Sequence, residues 1–251
     1  GTGSEATSVA VIRDSKTGAK LPFMSPFLMP DAAVLDPRLT LGLPPFFTAA
    51  TGMDAMTHAV ESYLCLAKNP LSDAYALGAI RKISENLVPL LDDRGNPTRR
   101  LEVAVGATMA GVAFSNSMVG LVHSLGHSVG ALCHVPHGVC MSVFLPYVLE
   151  YNLETRRDAI GELLLPLAGA EVFARTPASE RAAATIKHLR SMRDALHAKA
   201  GLPRTLSETG KVTRAQLPEI AQLAIDDGTL IMNPREVRYD DALAVLTRAF
   251  E

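Results

Sequence analysis

Two patterns of apolar and polar positions divide the chain near Leu43. Before that point the apolar residues come in short runs: Ser8-Val9-Ala10-Val11-Ile12, then the turn-rich Asp14-Ser15-Lys16-Thr17-Gly18, then Lys20-Leu21-Pro22-Phe23-Met24. This predicts a β-hairpin within 5–37, with a further short strand at 32–35 before Asp36-Pro37. Three short strands make a poor sheet alone, so the ribbon needs a partner surface. After Pro44-Pro45 the apolar residues recur three and four apart in segments rich in Ala, Leu and Met. That spacing predicts helices at 46–64, 72–91, 98–114, 118–133, 138–150, 154–168, 178–200, 214–225 and 239–249. The stretch 98–133 is apolar nearly all round, which predicts a helix pair at the centre of a bundle, whereas 156–211 mixes charge with apolar periodicity as outer helices do. The expected fold class is mainly α, a helical bundle preceded by a short β-ribbon.

Composition narrows the functional classes. The 251 residues carry 24 Lys+Arg against 26 Asp+Glu, a net charge of −2, which gives no electrostatic basis for binding nucleic acid or an anionic membrane. With 48% hydrophobic and 20% charged residues, there is material for a core, in one large domain or a medium domain with a smaller appendage. The most apolar stretch, 103–131, is interrupted by Ser, Asn, His and Gly and is too polar to span lipid. Three cysteines without CxxC spacing do not build a disulfide framework, so a reducing cytoplasm is the expected compartment. The first residues lack an initiator Met, a basic n-region and an apolar h-region. No secretory signal is expected, and the chain reads as a piece of a longer protein.

The chemistry concentrates in the histidines. Of seven, four (His123, His127, His134 and His137) fall within fifteen residues. Residues four apart stand one turn above each other on a helix, so His123 and His127 project from one face of an otherwise apolar helix. Buried imidazoles without partners cost about 1–3 kcal/mol each, so a metal, a substrate or a hydrogen-bond network is expected beside them. Asp54 and His58 repeat the four-residue spacing within Thr51-Gly52-Met53-Asp54-Ala55-Met56-Thr57-His58-Ala59-Val60-Glu61. Together with His123, and with His137 on the Pro136-His137-Gly138 turn, they offer one oxygen and three nitrogen donors, a set suited to zinc or ferrous iron. Such a site carries a formal charge of about +1 and leaves a position for an alcohol or carbonyl oxygen.

Other features have plainer readings. Glu61 reads as a solvated or capping carboxylate, His188 and His197 as surface residues, and Met53, Met56, Met118 and Met141 as core fillers. Cys133, His134, His137 and Cys140 match no closed structural zinc spacing. Gly1-Thr2-Gly3-Ser4-Glu5 looks like a phosphate-cradling loop, yet no strand precedes it and no G-x-G-x-x-G completes it.

Taken together, Gly1–Glu5, Ala50–Glu61, Gly120-Leu121-Val122-His123-Ser124-Leu125-Gly126-His127, Pro136-His137-Gly138 and Asn233-Pro234-Arg235-Glu236-Val237 resemble the C-terminal part of an iron-containing, group III alcohol dehydrogenase. The resemblance implies a dinucleotide-binding α/β domain followed by an all-helical domain, with metal and nicotinamide meeting in the cleft between them. Residues 1–43 are then the β-ribbon remnant of the first domain and 44–251 the helical metal and substrate domain. Roughly the first half of the dinucleotide domain, with its glycine-rich pyrophosphate loop, lies outside this chain. By the same resemblance Asp54, His58, His123 and His137 hold Fe²⁺ or Zn²⁺, His127 contacts substrate and relays a proton, and Phe114 forms the substrate wall. Thr2, Ser4, Val11, Lys20, Leu43 and His137 would lie near the cofactor, NAD or NADP.

Three functions stay open at this stage. The first is a metal-dependent dehydrogenase passing hydride from a small alcohol to NAD(P), or back to an aldehyde or ketone. The second is a metal-binding or assembly domain without redox activity of its own. The third is a metallohydrolase or lyase, which needs a base such as Glu61 facing the metal. A homodimer formed by edge pairing of the ribbon, or a higher homo-oligomer, is the expected assembly.

Overall fold

Proline and asparagine mark where the first three helices begin. In the computed structural model, which describes residues 1–13 and 20–251, α1 (Pro45–Leu64) starts at a proline, whose missing N–H costs nothing in a first turn. Helix α2 (Pro70–Asp92) is capped by Asn69, which accepts from the backbone of Leu71 and Ser72 while the Ser72 hydroxyl returns the bond. Asn96 caps α3 (Pro97–Ser115) through Arg99 N. The other helices are α4 (Leu121–Cys133), α5 (His137–Glu162), α6 (Leu164–Ala168), α7 (Ala170–Arg175), α8 (Arg181–Ala200), α9 (Leu217–Ile225) and α10 (Tyr239–Phe250).

The protein is mainly α, as its apolar periodicity implies. The centre, however, is α1 and not the 98–133 pair. Helix α1 is buried on every side from Gly52 to Leu64, enclosed by α2, α3, α5 and α8. Helix α3 packs on α1 and α2, whereas α4 packs on α5 and α9. The two therefore pack chiefly against other helices. The predicted break near residue 151 is also absent, because Asn152, a residue that ordinarily favours turns, is buried in α5 with its amide paired to Asn233. The helix bends instead at Arg156 (φ −133°, ψ 22°), whose Nε donates to Leu64 O.

The ribbon has two strands, β1 (Val9–Arg13) and β2 (Lys20–Met24), antiparallel with Val9 opposite Met24 and Arg13 opposite Lys20. The expected strand at 32–35 does not form, and Val34 stands 88% exposed. The turn at 14–19 and the Lys20 side chain lie outside the described residues. Val11, Ile12, Met24 and Phe27 are exposed. The segment ahead of the ribbon is tied down by backbone proximity. Gly3 (φ +85°) packs so closely on α3 that a Cβ on it would stand 2.2 Å from Ala107 O, and a Cβ on Gly111 would meet Gly3 O equally closely. Among the described residues no helix is long and apolar enough to cross a membrane.

Candidate metal centre

The middle of α1 presents Asp54, His58 and Glu61 inside the protein, at 3%, 8% and 6% exposure. From α4, His123 (3%) comes to meet them. Among the described residues, Asp54, His58 and His123 are the group of carboxylate, imidazole and thiol side chains whose donor atoms converge, all within 4.8 Å of one another. His137 joins from the first turn of α5, with Nε2 3.3 Å from Asp54 Oδ1. Gly138 permits this approach: a Cβ there would stand 2.2 Å from Ala50 O on α1, so only a residue without a side chain lets the start of α5 settle against α1.

Helix α4 has no side-chain cap of its own at Gly120. Its free N–H groups are taken by distant residues instead. Glu61 Oε1 accepts from Val122 N at 2.8 Å, and Asn233 Oδ1 accepts from Leu121 N at 3.3 Å. The other Glu61 oxygen lies 2.5 Å from His123 Nδ1. Glu61 is thus not solvated; it caps a neighbouring helix and orients an imidazole. With both oxygens engaged, it does not present a free base to the cluster, which removes the support for a hydrolase. The C-terminal Asn-Pro-Arg-Glu segment likewise has a structural task, because Asn233 joins α4 to Asn152 on α5.

The fit to a cation rests on atoms that nothing in the fold satisfies. Asp54 Oδ1 and His123 Nε2, which face each other at 3.9 Å, are both buried without a hydrogen-bond partner. Burial pushes the Asp54 carboxyl up, but the imidazoles of His58, His137 and His123 more than offset this and hold it below the usual carboxylate range. Burial drives His58 down to about 3 against the pull of Asp54, and burial with the neighbouring His137 takes His123 well below its ordinary value. Burial lifts Glu61 to about 7 against the backbone N–H groups of Val122 and Gly120. At neutral pH Asp54 is therefore a carboxylate and the His58 and His123 imidazoles are neutral, the ionisation states that divalent ions bind.

Around this cluster Phe114 stacks on His58 at 4.3 Å, and the His127 ring stacks on His137 at 5.4 Å and meets His123 edge-on at 5.8 Å. His127 Nδ1 is 2.9 Å from Asp227 Oδ2. The expected cofactor residues do not gather in the same way. Val11 is half exposed on the ribbon, and Leu43 lines a small cavity with Gly1, Thr40, Thr48 and Arg100 that includes none of Thr2, Ser4 or Val11. His188 is half-buried in a cleft lined chiefly by α2, α6 and α7 rather than on the open surface. Sequence reasoning missed Asp227 altogether; no motif or periodicity marks it.

Known proteins share this fold. The family description "Fe-containing alcohol dehydrogenase family, C-terminal" matches residues 48–250, and "Iron-containing alcohol dehydrogenase" matches residues 1–37. The chain belongs to the iron-containing alcohol dehydrogenase family. It is 36% identical to 1,3-propanediol dehydrogenase of Klebsiella pneumoniae, over 100% of this chain and 63% of that protein. It is 34% identical to the NAD-dependent methanol dehydrogenase of Bacillus methanolicus, over 99% of this chain and 64% of that one. A crystal structure of 1,3-propanediol oxidoreductase superposes with a TM-score of 0.92 at 34% identity, covering 100% of this chain and 64% of the other. The chain therefore spans less than two thirds of the length of these relatives.

Proposed function

We propose that the chain is the metal and substrate part of an NAD(P)-dependent alcohol dehydrogenase acting on a small alcohol or aldehyde. The observation that carries this reading is the convergence of Asp54, His58 and His123, with His137 beside them and the inward-facing Asp54 Oδ1 and His123 Nε2 unsatisfied. These four residues would hold Fe²⁺ or Zn²⁺, which supplies Lewis acidity toward an alcohol or carbonyl oxygen, while a bound nicotinamide supplies or accepts hydride. Asp54 contributes the one negative charge and the imidazoles bind while neutral. Glu61 holds His123 with Nε2 turned inward. Phe114, stacked on His58, walls the pocket against water. His127 handles the proton, its ring lying against those of His123 and His137 at the edge of the cluster.

Residues 1–43 belong in this reading to the dinucleotide-binding domain and 44–251 to the helical domain. Two observations support the division: the ribbon turns Val11, Ile12, Met24 and Phe27 to the outside, and separate family descriptions match residues 1–37 and 48–250. Thr2, Ser4, Val11, Lys20, Leu43 and His137 would face the cofactor once that domain is complete. Pairing of ribbons in a homodimer, and residence in the cytoplasm, complete the proposal. The scattered placement of the expected cofactor residues favours a second reading, a metal-binding or assembly domain without redox activity. One preparation separates the two: load the chain with Fe²⁺ under anaerobic conditions, measure bound metal, then titrate NAD(H) and NADP(H) with and without alcohol. Stoichiometric metal, dinucleotide binding and alcohol-dependent reduction support the dehydrogenase. Metal without dinucleotide binding supports the assembly domain, and absence of metal overturns both.

A further inference from the structure

The C-terminal segment is fastened to one face of α4 at three successive heights. Leu121 N donates to Asn233 Oδ1, Ser124 Oγ donates to Ala224 O at 2.7 Å, and His127 Nδ1 meets Asp227 Oδ2 at 2.9 Å. Positions 121, 124 and 127 are three apart and share a helix face. The first two bonds attach the helix. The third reaches a residue whose other ring nitrogen is free to act.

We propose that Asp227 is the positioning residue for His127, holding the ring as its Nδ1–H tautomer so that the Nε2 lone pair is the one offered for proton exchange. This rests on the assignment of proton handling to His127 above. The carboxylate is itself fixed. Its Oδ1 accepts from Thr229 N at 2.8 Å and from Thr229 Oγ1 at 2.6 Å, which leaves Oδ2 for the imidazole. Asp227 also caps the 3-10 turn Gly228–Met232, so its backbone is held as well. Side chains of both partners are 19% exposed, enough shelter for the hydrogen bond to compete with water. A carboxylate without a proton only accepts, so the nitrogen facing it must carry hydrogen. The hydrogen bond made by one ring nitrogen decides the state of the other.

The substitution Asp227→Asn makes the inference testable without unfolding the turn. Thr229 N still needs an acceptor, so the new amide turns its oxygen to Thr229 and its NH₂ to His127. Nδ1 is then forced to accept, and the proton moves to Nε2. The same inversion accounts for the effect of the Asp→Asn change in serine-protease triads. The chain, labelled with ¹⁵N in its imidazoles and loaded with diamagnetic Zn²⁺, is compared with D227N by long-range ¹H–¹⁵N correlation, using H127A to assign the ring. The expected result is a protonated Nδ1 in the wild type and a protonated Nε2 in D227N, with bound zinc unchanged. A wild-type ring protonated at Nε2, or a tautomer identical in both proteins, overturns the inference. Should D227N fold poorly, the wild-type spectrum alone decides. No alcohol or dinucleotide is present, so the result stands whether or not the dehydrogenase reading survives. In any preparation that turns over, D227N lowers kcat, because the wrong tautomer is presented.

Discussion

Glu61 and His123 are joined across sixty-two positions of sequence by a 2.5 Å contact between a carboxylate oxygen and an imidazole Nδ1. The partner oxygen of Glu61 caps the helix that carries His123. One side chain therefore sets both where the imidazole stands and which nitrogen it turns inward. Removing it should loosen metal as well as fold. Glu61→Ala is expected to weaken Zn²⁺ binding by about 10–100-fold, the usual effect of deleting a residue that orients a metal-bound imidazole. Glu61→Gln keeps the helix cap but has one acceptor oxygen, which Val122 N takes. Its NH₂ then faces His123 Nδ1, the ring proton moves to Nε2, and metal binding should weaken at least as much as in Glu61→Ala. Competition with a colorimetric chelator measures both, and unchanged affinity in Glu61→Ala would reject the role.

The histidines separate by function in the same measurement. His123→Ala and His137→Ala remove donors that face Asp54 and are expected to lose bound metal. His127→Ala leaves the cluster of Asp54, His58 and His123 intact and should keep metal while lowering turnover wherever turnover is measurable. Equal metal loss in all three variants would show that the assignment of His127 is wrong.

What the sequence disclosed follows the range of the interactions. Asp54 and His58 share one helix, so their common face could be read from spacing alone. The pairing of His123 with His127 was legible for the same reason. Their convergence with Asp54 was inferred from donor chemistry, and the structure brings His123 to it. Residues that act from behind were invisible or misread. Glu61 and Asn233 lie inside recognisable motifs, yet their work is done on α4, and Asp227 meets His127 across one hundred positions. The centre of the bundle was misplaced for a related reason. The polar groups Asp54, His58 and Glu61 of α1 are buried, satisfied across helices by partners such as Val122 N and His123 on α4, and the apolar pattern of α1 by itself does not show those partners.

Gly138 provides a packing test. A methyl group there would collide with the Ala50 carbonyl, a backbone atom that cannot rotate aside. Gly138→Ala should destabilise the protein by about 1–3 kcal/mol, the usual penalty of overpacking. It should also displace His137 at the start of α5 and weaken metal binding. Urea unfolding of the metal-free protein checks the first effect and chelator competition the second. A variant of wild-type stability would mean that the approach of α5 to α1 is looser than the structure shows.

Asn233→Ala probes the same helix from the other side. Asn233 is 5% exposed; its amide exchanges hydrogen bonds with Asn152 and accepts from Leu121 N. Truncation strands the buried Asn152 amide and a helix N-terminus, and each unsatisfied group costs about 1–3 kcal/mol. A lower midpoint in urea at unchanged slope is expected. Asn152→Leu in the same background should recover part of the loss, because it removes the stranded polar group.

His188 supplies the pH dependence. Burial lowers its pKa below the ordinary 6.5, in a cleft it shares with Tyr63, Leu77, Arg81 and Phe173. The sign follows from proton counts. Between the folded and unfolded pKa values the unfolded chain holds the proton and the folded one does not, so stability rises with pH. The contribution of neutral His188 is complete above about 6.5 and is lost as the pH falls toward the folded value. Unfolding in urea at pH 5.5 and pH 7.5 should show the wild type losing more stability on acidification than His188→Gln, which has no charge to gain. Equal losses in the two proteins would place His188 in water and remove burial as the cause of its shift.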